Sequence, residues 1–398
     1  MLVRMLIRVA RWLLILLALA GVAATIIPEI PGNIWWVRYF DFPRIQILIV
    51  SAAVWLLLLL VSQGRVSRLT LLALAAAIAY QAYLLHPYTP FAPPNQIATE
   101  TCAPGNRLRL LAVNLQMTNE HDNRLLNMVR QIDPDVAWFQ EVDEWWLRNL
   151  APLAATMPYH VTQAQPNYFG AALFSRYPLI SPEVRFLTGS REPAVFTGIQ
   201  LPSNQPIRLY AIHPRPPMPG QSTAERDAQI LATALAAHDD NLPHVVAGDL
   251  NAVPWEDVVH LAKRVGRFLD PRIGRGFYIT WNAGNPVLKW PLDQILPGQA
   301  FTLTALRVLP EFGSDHRPYL ADLCFNPAAA AWQSPPPMWP GDIEEARMAV
   351  LRGQGKADQA VDPPPPAKSA APSSDIAPAP PPGTILTAPA GEVSPARP

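Results

Sequence analysis

Three apolar runs in the first quarter of the chain constrain its fold more than any other feature. They cover about residues 13–27, 45–61 and 69–85, and the second contains no charged residue. Each approaches the roughly 20 residues that a helix needs to cross the hydrocarbon core of a bilayer. Three such runs exceed what the core of a soluble domain usually contains, so we expect residues 1–86 to form a transmembrane anchor of about three helices. The alternative is a set of buried helices in a soluble domain.

The distribution of arginines predicts the orientation of this anchor. Basic residues beside membrane spans favour the cytoplasmic side. With the amino terminus inside, three crossings place everything after Leu85 outside, although Arg38 and Arg44 in the first outer loop weaken the bias. The first run also resembles a signal peptide, and its cleavage would leave the later domain on the same side. The arginines that favour this orientation are Arg4, Arg8, Arg11, Arg65 and Arg68.

The rest of the chain divides by composition into three segments. Residues 87–105 form a proline-rich connector, and residues 106–325 alternate short apolar runs with turn residues. Residues 326–398 are dominated by Pro, Ala and Ser. Such a segment buries too little apolar surface to fold, so we expect a disordered tail. The formal net charge of the chain is zero, so no overall field attracts nucleic acid.

The pattern of residues 106–325 predicts an α/β domain. Apolar stretches bounded by turn residues are typical of buried strands. Two stretches have helical periodicity, one at about residues 122–131 and one from Ser222, which has the spacing of a capping box with Glu225. Strands and helices mix without strict alternation, which indicates two packed sheets flanked by helices. The predicted strands are LRLLAVN, DVAWFQE, AALFS, IRLYAIH, HVVAGDLN and the stretch near residues 292–296.

Polar side chains that could bind a metal stand at the ends of several of these strands. Polar groups that follow apolar strands tend to gather at one rim of a sheet, where a ligand can reach them. One such residue means little, because Asp and Asn are ordinary turn residues, but several in one domain form a more specific pattern. They are Asn114, Glu141, His213, Asp249, Asn251, Asp293 and the triplet Ser314-Asp315-His316.

These residues lie in motifs that resemble those of the endonuclease/exonuclease/phosphatase (DNase I-like) superfamily, in its membrane-anchored branch. The resemblance covers about residues 108–323 and implies a four-layered α/β sandwich, in which two mixed sheets pack face to face between helices. The N-terminal transmembrane anchor precedes this domain. The motifs are VNLQ with Asn114, WFQEVD with Glu141, GAALFSRYPL with Gly170 and Arg176, AIHPRPP with His213 and Arg215, AGDLNAVPW with Asp249 and Asn251, PLDQIL with Asp293, and GSDHRPY with Asp315 and His316.

The resemblance also implies a role for each motif residue, with Mg²⁺ or Mn²⁺ as cofactor. A hard cation suits oxygen ligands and offsets the negative charge of a phosphoester. The metal-site residues it implies are Glu141, Asn114 and Asp315. The catalytic residues it implies are His316, Asp293, His213, Asp249 and Asn251, with Asp293 orienting the imidazole of His316. The substrate-binding residues it implies are Arg215 and Arg176.

The function implied is that of a membrane-tethered, metal-dependent phosphoester hydrolase. We expect a multi-pass protein of a bacterial inner membrane, with its catalytic domain periplasmic or otherwise outside the cytoplasm. Its substrate would be a lipid, nucleotide or nucleic acid phosphoester, and no obligate protein partner is evident. Two alternatives remain open: a catalytically inactive binding module, and a DNA endonuclease, although His213 stands where abasic-site endonucleases typically have Tyr.

The two cysteines, Cys102 and Cys324, are expected to serve structure. They form no CxxC pair, which disfavours a zinc site built from thiolates. The resemblance places the first and last strands of the domain close together, and Cys102 precedes the first while Cys324 ends the last. An oxidising compartment would permit a disulfide between them; the alternative is two unpaired thiols.

Overall fold

The computed structural model of the protein describes residues 2–189 and 191–355. Three long helices occupy its first part, where the three apolar runs predict them. Each is long and apolar enough to cross a membrane. The helices are α1 (Leu2–Ile26), α3 (Arg44–Val61) and α4 (Gly64–Leu85), and a short helix, α2 (Trp35–Arg38), lies between α1 and α3.

The three long helices pack against one another through a narrow inner face. Ala18 of α1, Leu58 of α3 and Leu74 of α4 are fully buried in one cluster. The outward faces carry leucines that nothing in the described chain covers, such as Leu60, which is 81% exposed. Helices that are apolar on all faces are expected to contact lipid where protein does not cover them. The bundle therefore has an apolar outer surface of the kind that suits contact with lipid.

The strands of the following domain form two mixed sheets. Strands β1 and β2 are parallel in the first sheet, β7 and β8 are parallel in the second, and every other neighbouring pair is antiparallel. The first sheet has the order β10-β11-β1-β2-β4-β3, and the second has the order β5-β6-β7-β8-β9. The strands are β1 (Arg107–Asn114), β2 (Val136–Gln140), β3 (Tyr159–Gln163), β4 (Ala171–Ser175), β5 (Leu179–Phe186), β6 (Pro193–Gln200), β7 (Pro206–Ala211), β8 (His244–Asp249), β9 (Asp293–Pro297), β10 (Phe301–Val308) and β11 (Tyr319–Phe325).

The two sheets pack face to face and are covered by helices on their outer sides. Leu110 of β1 and Leu209 of β7 are fully buried in one cluster between the sheets. Helices α5 (Asp122–Ile132) and α6 (Glu144–Leu150) cover the first sheet, and α7 (Ala224–Asp239) and α8 (Asp257–Val265) cover the second. The predicted four-layered α/β sandwich is confirmed.

Residues 326–355, which the sequence assigns to a disordered tail, are folded. A short 3-10 helix, Pro327–Ala331, follows the last strand, and helix α9, Asp342–Gly353, packs against α7. Ala346 is fully buried beside α7 and α8, and Arg264 of α8 donates to Asp342 at 2.7 Å. The prediction was wrong here because tertiary contacts stabilise a short helix that proline-rich flanks obscure in the sequence. The rest of the predicted tail, residues 356–398, lies outside the described residues.

The proline-rich connector lies against the domain. Tyr88 is buried and donates its hydroxyl to the carbonyl of Pro254 at 2.8 Å. Ala98 forms a parallel bridge with Leu303 of β10. Cys102 and Cys324 form a disulfide with their Cα atoms 5.6 Å apart, which confirms the predicted bond. The connector, which joins the anchor to β1, is therefore fixed to the first sheet.

Candidate active site

Four polar side chains meet because parallel strands end at the same rim. Asn114 ends β1, and Glu141 follows the parallel strand β2. His213 comes shortly after β7, and Asp249 ends the parallel strand β8. The amide nitrogen of Asn114 donates to Glu141 of its own sheet at 3.1 Å and, across to the second sheet, to Asp249 at 3.3 Å.

An aspartate from an antiparallel strand orients the imidazole of His316 at this rim. Asp293 begins β9 and lies opposite Asp249 in the β8–β9 register. The Nδ1 atom of His316 is 2.8 Å from a carboxylate oxygen of Asp293, and its Nε2 atom is 3.5 Å from Asp249. Ser314 Oγ accepts from the backbone N–H of His316 and donates to the carbonyl of Asn114. These contacts aim the free edge of the imidazole at Asp249.

Burial and charge shift the pKa values of this pair upward. Burial alone would lower the pKa of His316, but the carboxylates of Asp293 and Asp249 outweigh it and raise the pKa to about 10. Burial raises the pKa of Asp249 to about 7, against the opposing charge of His316. The rim thus contains a charged imidazole beside a carboxyl group that takes up a proton near neutral pH, as acid–base chemistry requires.

Tight backbone geometry holds the Asp249 loop. The backbone N–H of Asp249 donates to Gln140 Oε1 at 2.6 Å, and that of Asn251 donates to Asp249 Oδ1 at 2.8 Å. Gly248 has a φ of +145°, and a Cβ atom there would lie 1.9 Å from the carbonyl oxygen of Ile212. Only glycine fits this position. The sequence analysis missed Gln140, although it lies directly before Glu141 in the same motif.

His213 is the second imidazole in the cavity, and it is buried. Its Nε2 atom lies 3.8 Å from Asp249, and its ring packs on Phe169. Burial, with a smaller effect of the charge on His316, lowers the pKa of His213 to about 3. His213 is therefore neutral at physiological pH and can donate or accept a hydrogen bond without bringing a charge.

Glu141 and Asp315 fit a hard cation. Burial raises the pKa of Glu141, and no arginine or lysine within the described ranges pairs with it. Asp315 accepts from the indole N–H of Trp281 at 3.0 Å and lines the same cavity. The described residues hold no cluster of three or more His, Cys, Asp or Glu side chains around one point. Carboxylate oxygens such as those of Glu141 and Asp315 are ligands that suit a hard divalent cation.

Asn114 and Asn251 are both tied down by hydrogen bonds. The Oδ1 atom of Asn114 accepts from the backbone N–H of Gln116 at 3.0 Å, while its nitrogen faces Glu141 and Asp249. Asn251 donates one amide hydrogen to the carbonyl of Pro214 at 2.9 Å. Its second amide hydrogen remains for an acceptor in the cavity.

The two predicted substrate-binding arginines have different positions. Arg215 lines the cavity, but Glu192 and Glu225 lie 2.9 and 3.1 Å from its guanidinium. Arg176 is bound to Asp133, which precedes β2, at the opposite rim of the first sheet. The structure therefore does not bring Arg176 to this cavity, because Arg176 follows β4, which runs antiparallel to β2.

The cavity above these residues has a volume of about 820 Å³ and includes part of the anchor. Tyr39, Phe42 and Pro43, from the loop between α1 and α3, form one wall. Nothing in the sequence indicated contact between this loop and the residues at the rim. Other lining residues that the sequence analysis did not place at the site are Asn167, Tyr168, Phe169, Arg191, Met218, Trp281, Leu288, Trp290 and Leu292.

Comparisons with known proteins match the α/β domain that contains this cavity. The model of the Endonuclease/Exonuclease/phosphatase family matches residues 111–316, just over half of the chain. A search of curated protein sequences found no match.

Among solved structures, the catalytic domain of human Nocturnin with a bound sulfate anion is 19% identical, with a TM-score of 0.46 over 57% of this chain and 96% of that one. D. rerio TDP2 in complex with a single-strand DNA product is 15% identical, with a TM-score of 0.46 over 55% and 98% of the two chains. Sphingomyelinase C from Streptomyces griseocarneus is 16% identical, with a TM-score of 0.42 over 54% and 99%.

Proposed function

This chain belongs to the endonuclease/exonuclease/phosphatase family, and we propose that it is a divalent-metal-dependent phosphoester hydrolase held at a membrane with its catalytic domain outside the cytoplasm. The observation that carries the proposal is the Asp293–His316–Asp249 chain of contacts, which faces Glu141 and Asp315 in one cavity. This arrangement supplies both a proton acceptor and anionic ligands for a cation.

The reaction we propose is attack of water on phosphorus with cleavage of one P–O bond. Asp249 accepts the proton of the attacking water, and His316, held by Asp293, donates a hydrogen bond to a phosphoryl oxygen. Neutral His213 and the amide of Asn251 are further donors to the phosphate. Glu141 and Asp315 would hold the cation, which would offset the phosphate charge, and Asn114, whose amide nitrogen donates to Glu141, would orient that carboxylate. The leaving oxygen keeps the electron pair of the broken P–O bond and takes up a proton from solvent, and Asp249 returns its proton to solvent, so hydrolysis yields one alcohol and one phosphate product.

The proposed topology has support from the two arginines that oppose the orientation rule. Arg38 donates to the carbonyls of Pro28 and Ile30, and Arg44 pairs with Asp41 at 3.0 Å. Both arginines are buried, so they fix the outer loop in place. The catalytic domain packs on this same loop. With three spans and the amino terminus inside, the loop and the domain both lie outside, so their contact agrees with the proposed topology.

A hydrolysis assay on the full-length protein in detergent tests the proposed activity. With bis-p-nitrophenyl phosphate and Mg²⁺, we expect activity that EDTA abolishes. Changing His316→Ala should lower kcat by roughly 10²–10⁴, whereas His238→Ala, on α7 outside the cavity, should not. Glu141→Ala should raise the Mg²⁺ concentration needed for activity. Full activity in EDTA would refute the mechanism, and no His316-dependent hydrolysis of any phosphoester would favour an inactive binding module.

A further inference from the structure

The anchor loop forms part of the cavity that contains the catalytic residues. We propose that the substrate is a phosphoester lipid of the same membrane, whose apolar part lies against this wall while its phosphate reaches His316. The proposal rests on the hydrolase function given above and names its substrate class.

The position of the wall relative to the membrane is fixed by the sequence of the loop. Phe42 and Pro43 line the cavity, and Arg44 directly after them begins the membrane-spanning helix α3. The Phe42 ring packs against Trp290 on another side of the cavity, with ring centroids 5.5 Å apart. The Tyr39 hydroxyl donates to the carbonyl of Pro217 at 2.9 Å. The cavity is therefore closed by residues at the point where the chain enters the membrane.

A second loop brings exposed apolar side chains to the same level. Val287 is 62% exposed, and Leu288, which lines the cavity, is 48% exposed. Gln46, in the first turn of α3, donates to the backbone carbonyl of Val287 at 2.7 Å. Exposed aliphatic side chains beside the end of a membrane span favour the boundary between headgroups and acyl chains. The mouth of the cavity thus has an apolar edge at membrane height.

The junction between anchor and domain is rigid, so the cavity cannot face away from the bilayer. Asn33 of the outer loop donates to Asp227 of α7 at 2.6 Å. The indole N–H of Trp255, four residues after Asn251, donates to the carbonyl of Asp41 at 2.7 Å. These bonds join the loop to both the helix and the catalytic strand end of the second sheet. A flexible tether would have left the cavity free to meet soluble substrates.

The charges around the cavity suit one phosphate group better than a polynucleotide. Its lining includes two arginines, Arg191 and Arg215, within the residues that the structure describes. Glu192 and Glu225 lie within 3.1 Å of Arg215 and offset its charge. A nucleic-acid groove needs a track of uncompensated cations along the backbone. An apolar wall beside a single phosphate site instead matches an amphiphile.

The test compares substrates that share the phosphoester and differ in their apolar part. Full-length protein would be reconstituted with Mg²⁺ into phosphatidylcholine vesicles containing either phosphatidylglycerol or phosphatidic acid. Parallel reactions would use the dibutanoyl forms of the same lipids, which are soluble, and a single-stranded oligonucleotide. We expect kcat/KM for a long-chain lipid to exceed that for its short-chain form by about tenfold or more, which is about 1.4 kcal/mol of transition-state binding.

Variants of the exposed loop test the contribution of the apolar wall without changing the proposed catalytic residues. The double change Val287→Ser, Leu288→Ser alters exposed side chains, so the variant should fold. We expect this variant to have a ratio of long-chain to short-chain kcat/KM that is at least fivefold lower than that of the wild type. Phe91→Ser is the matched control, because Phe91 is 87% exposed and does not line the cavity. It should leave the ratio unchanged.

Each result decides between the two proposals. Hydrolysis of bis-p-nitrophenyl phosphate or of the oligonucleotide, with no preference for long-chain lipid, would overturn the lipid proposal and leave the hydrolase function standing. A long-chain preference that the double variant retains would also overturn it. Loss of hydrolysis for every phosphoester tested would overturn both.

Discussion

Arg226 provides the most demanding test of the junction between anchor and active site. Its side chain is 1% exposed and donates to Asp227 at 2.8 Å, to Glu256 at 2.7 Å and to the carbonyl of Asn251 at 3.0 Å. Arg226→Leu would leave Glu256, also 1% exposed, as a buried carboxylate without its partner. Removing one member of a buried ion pair costs about 3–5 kcal/mol. For a domain of this size that corresponds to a fall in Tm of roughly 6–20 °C.

The pH dependence of this loss follows from Glu256. Burial is the largest influence on the pKa of Glu256 and raises it, while the charge of Arg226 lowers it. Without Arg226 the pKa rises further. When folding raises the pKa of a group, the group favours the folded state at low pH. That contribution to the free energy of unfolding is lost as the pH rises through the pKa of the folded state. With Arg226 present the pKa of Glu256 in the folded protein is about 8, so the Tm deficit of Arg226→Leu should grow as the pH rises above about 8.

Thermal unfolding of the purified protein in detergent, followed by tryptophan fluorescence, measures these effects. Arg176→Leu is the control, because its pair with Asp133 is largely exposed and such pairs contribute about 0–1 kcal/mol. Adding Glu256→Gln to Arg226→Leu should recover part of the loss by removing the unpaired charge. A Tm for Arg226→Leu within about 2 °C of wild type at about pH 9 would refute the reasoning.

The remaining predictions concern the second imidazole, the disulfide and the topology. His213→Ala should lower kcat strongly and leave the Mg²⁺ dependence nearly unchanged, since His213 contacts Asp249 and no proposed metal ligand; a kinetic Mg²⁺ titration checks this, and selective abasic-site incision that survives the change would contradict it. Cys102→Ser with Cys324→Ser should destabilise the domain by about 4–5 kcal/mol at most, because the bond closes a long loop; an unaltered Tm would contradict this. A reporter active only outside the cytoplasm should be active when fused after Phe325, and activity only from a cytoplasmic reporter there would reverse the topology.

Local patterns predicted most of the architecture. The six strands expected from apolar runs are β1, β2, β4, β7, β8 and β9, and α5 begins at Asp122 as predicted. Helix α7 begins at Ala224, two residues later than expected, because Ser222 Oγ accepts the backbone N–H of Ala224 from outside the helix. The strands that were not predicted are β3, β5, β6, β10 and β11. Of these, β5 has the alternating burial of a half-exposed edge strand and contains a proline. Continuous apolar runs reveal buried strands better than such edges.

Strand direction explains which site residues the sequence could place. Polar residues after β2 and β8 share the rim because each strand has a parallel neighbour, β1 and β7 respectively. Arg176 also follows an apolar strand, but β4 runs antiparallel to β2 and delivers Arg176 to the opposite rim. Asp293 reaches the active rim because it starts an antiparallel strand instead of ending a parallel one. Direction depends on pairing between distant segments, which no local pattern records.

The sequence by itself determined the three apolar helices, the four-layered sandwich and the residue types of the motif positions, because apolar periodicity and motif chemistry are local properties of the chain. Only the tertiary structure decided that Phe42 of the anchor loop faces His316 across one cavity. It also decided that Arg38 and Arg44 are buried in the loop that meets the domain. The contacts between this loop and the domain join distant segments, as the bond from Trp255 to Asp41 illustrates with its separation of 214 positions. Their geometry exists only after both sheets and the anchor have packed.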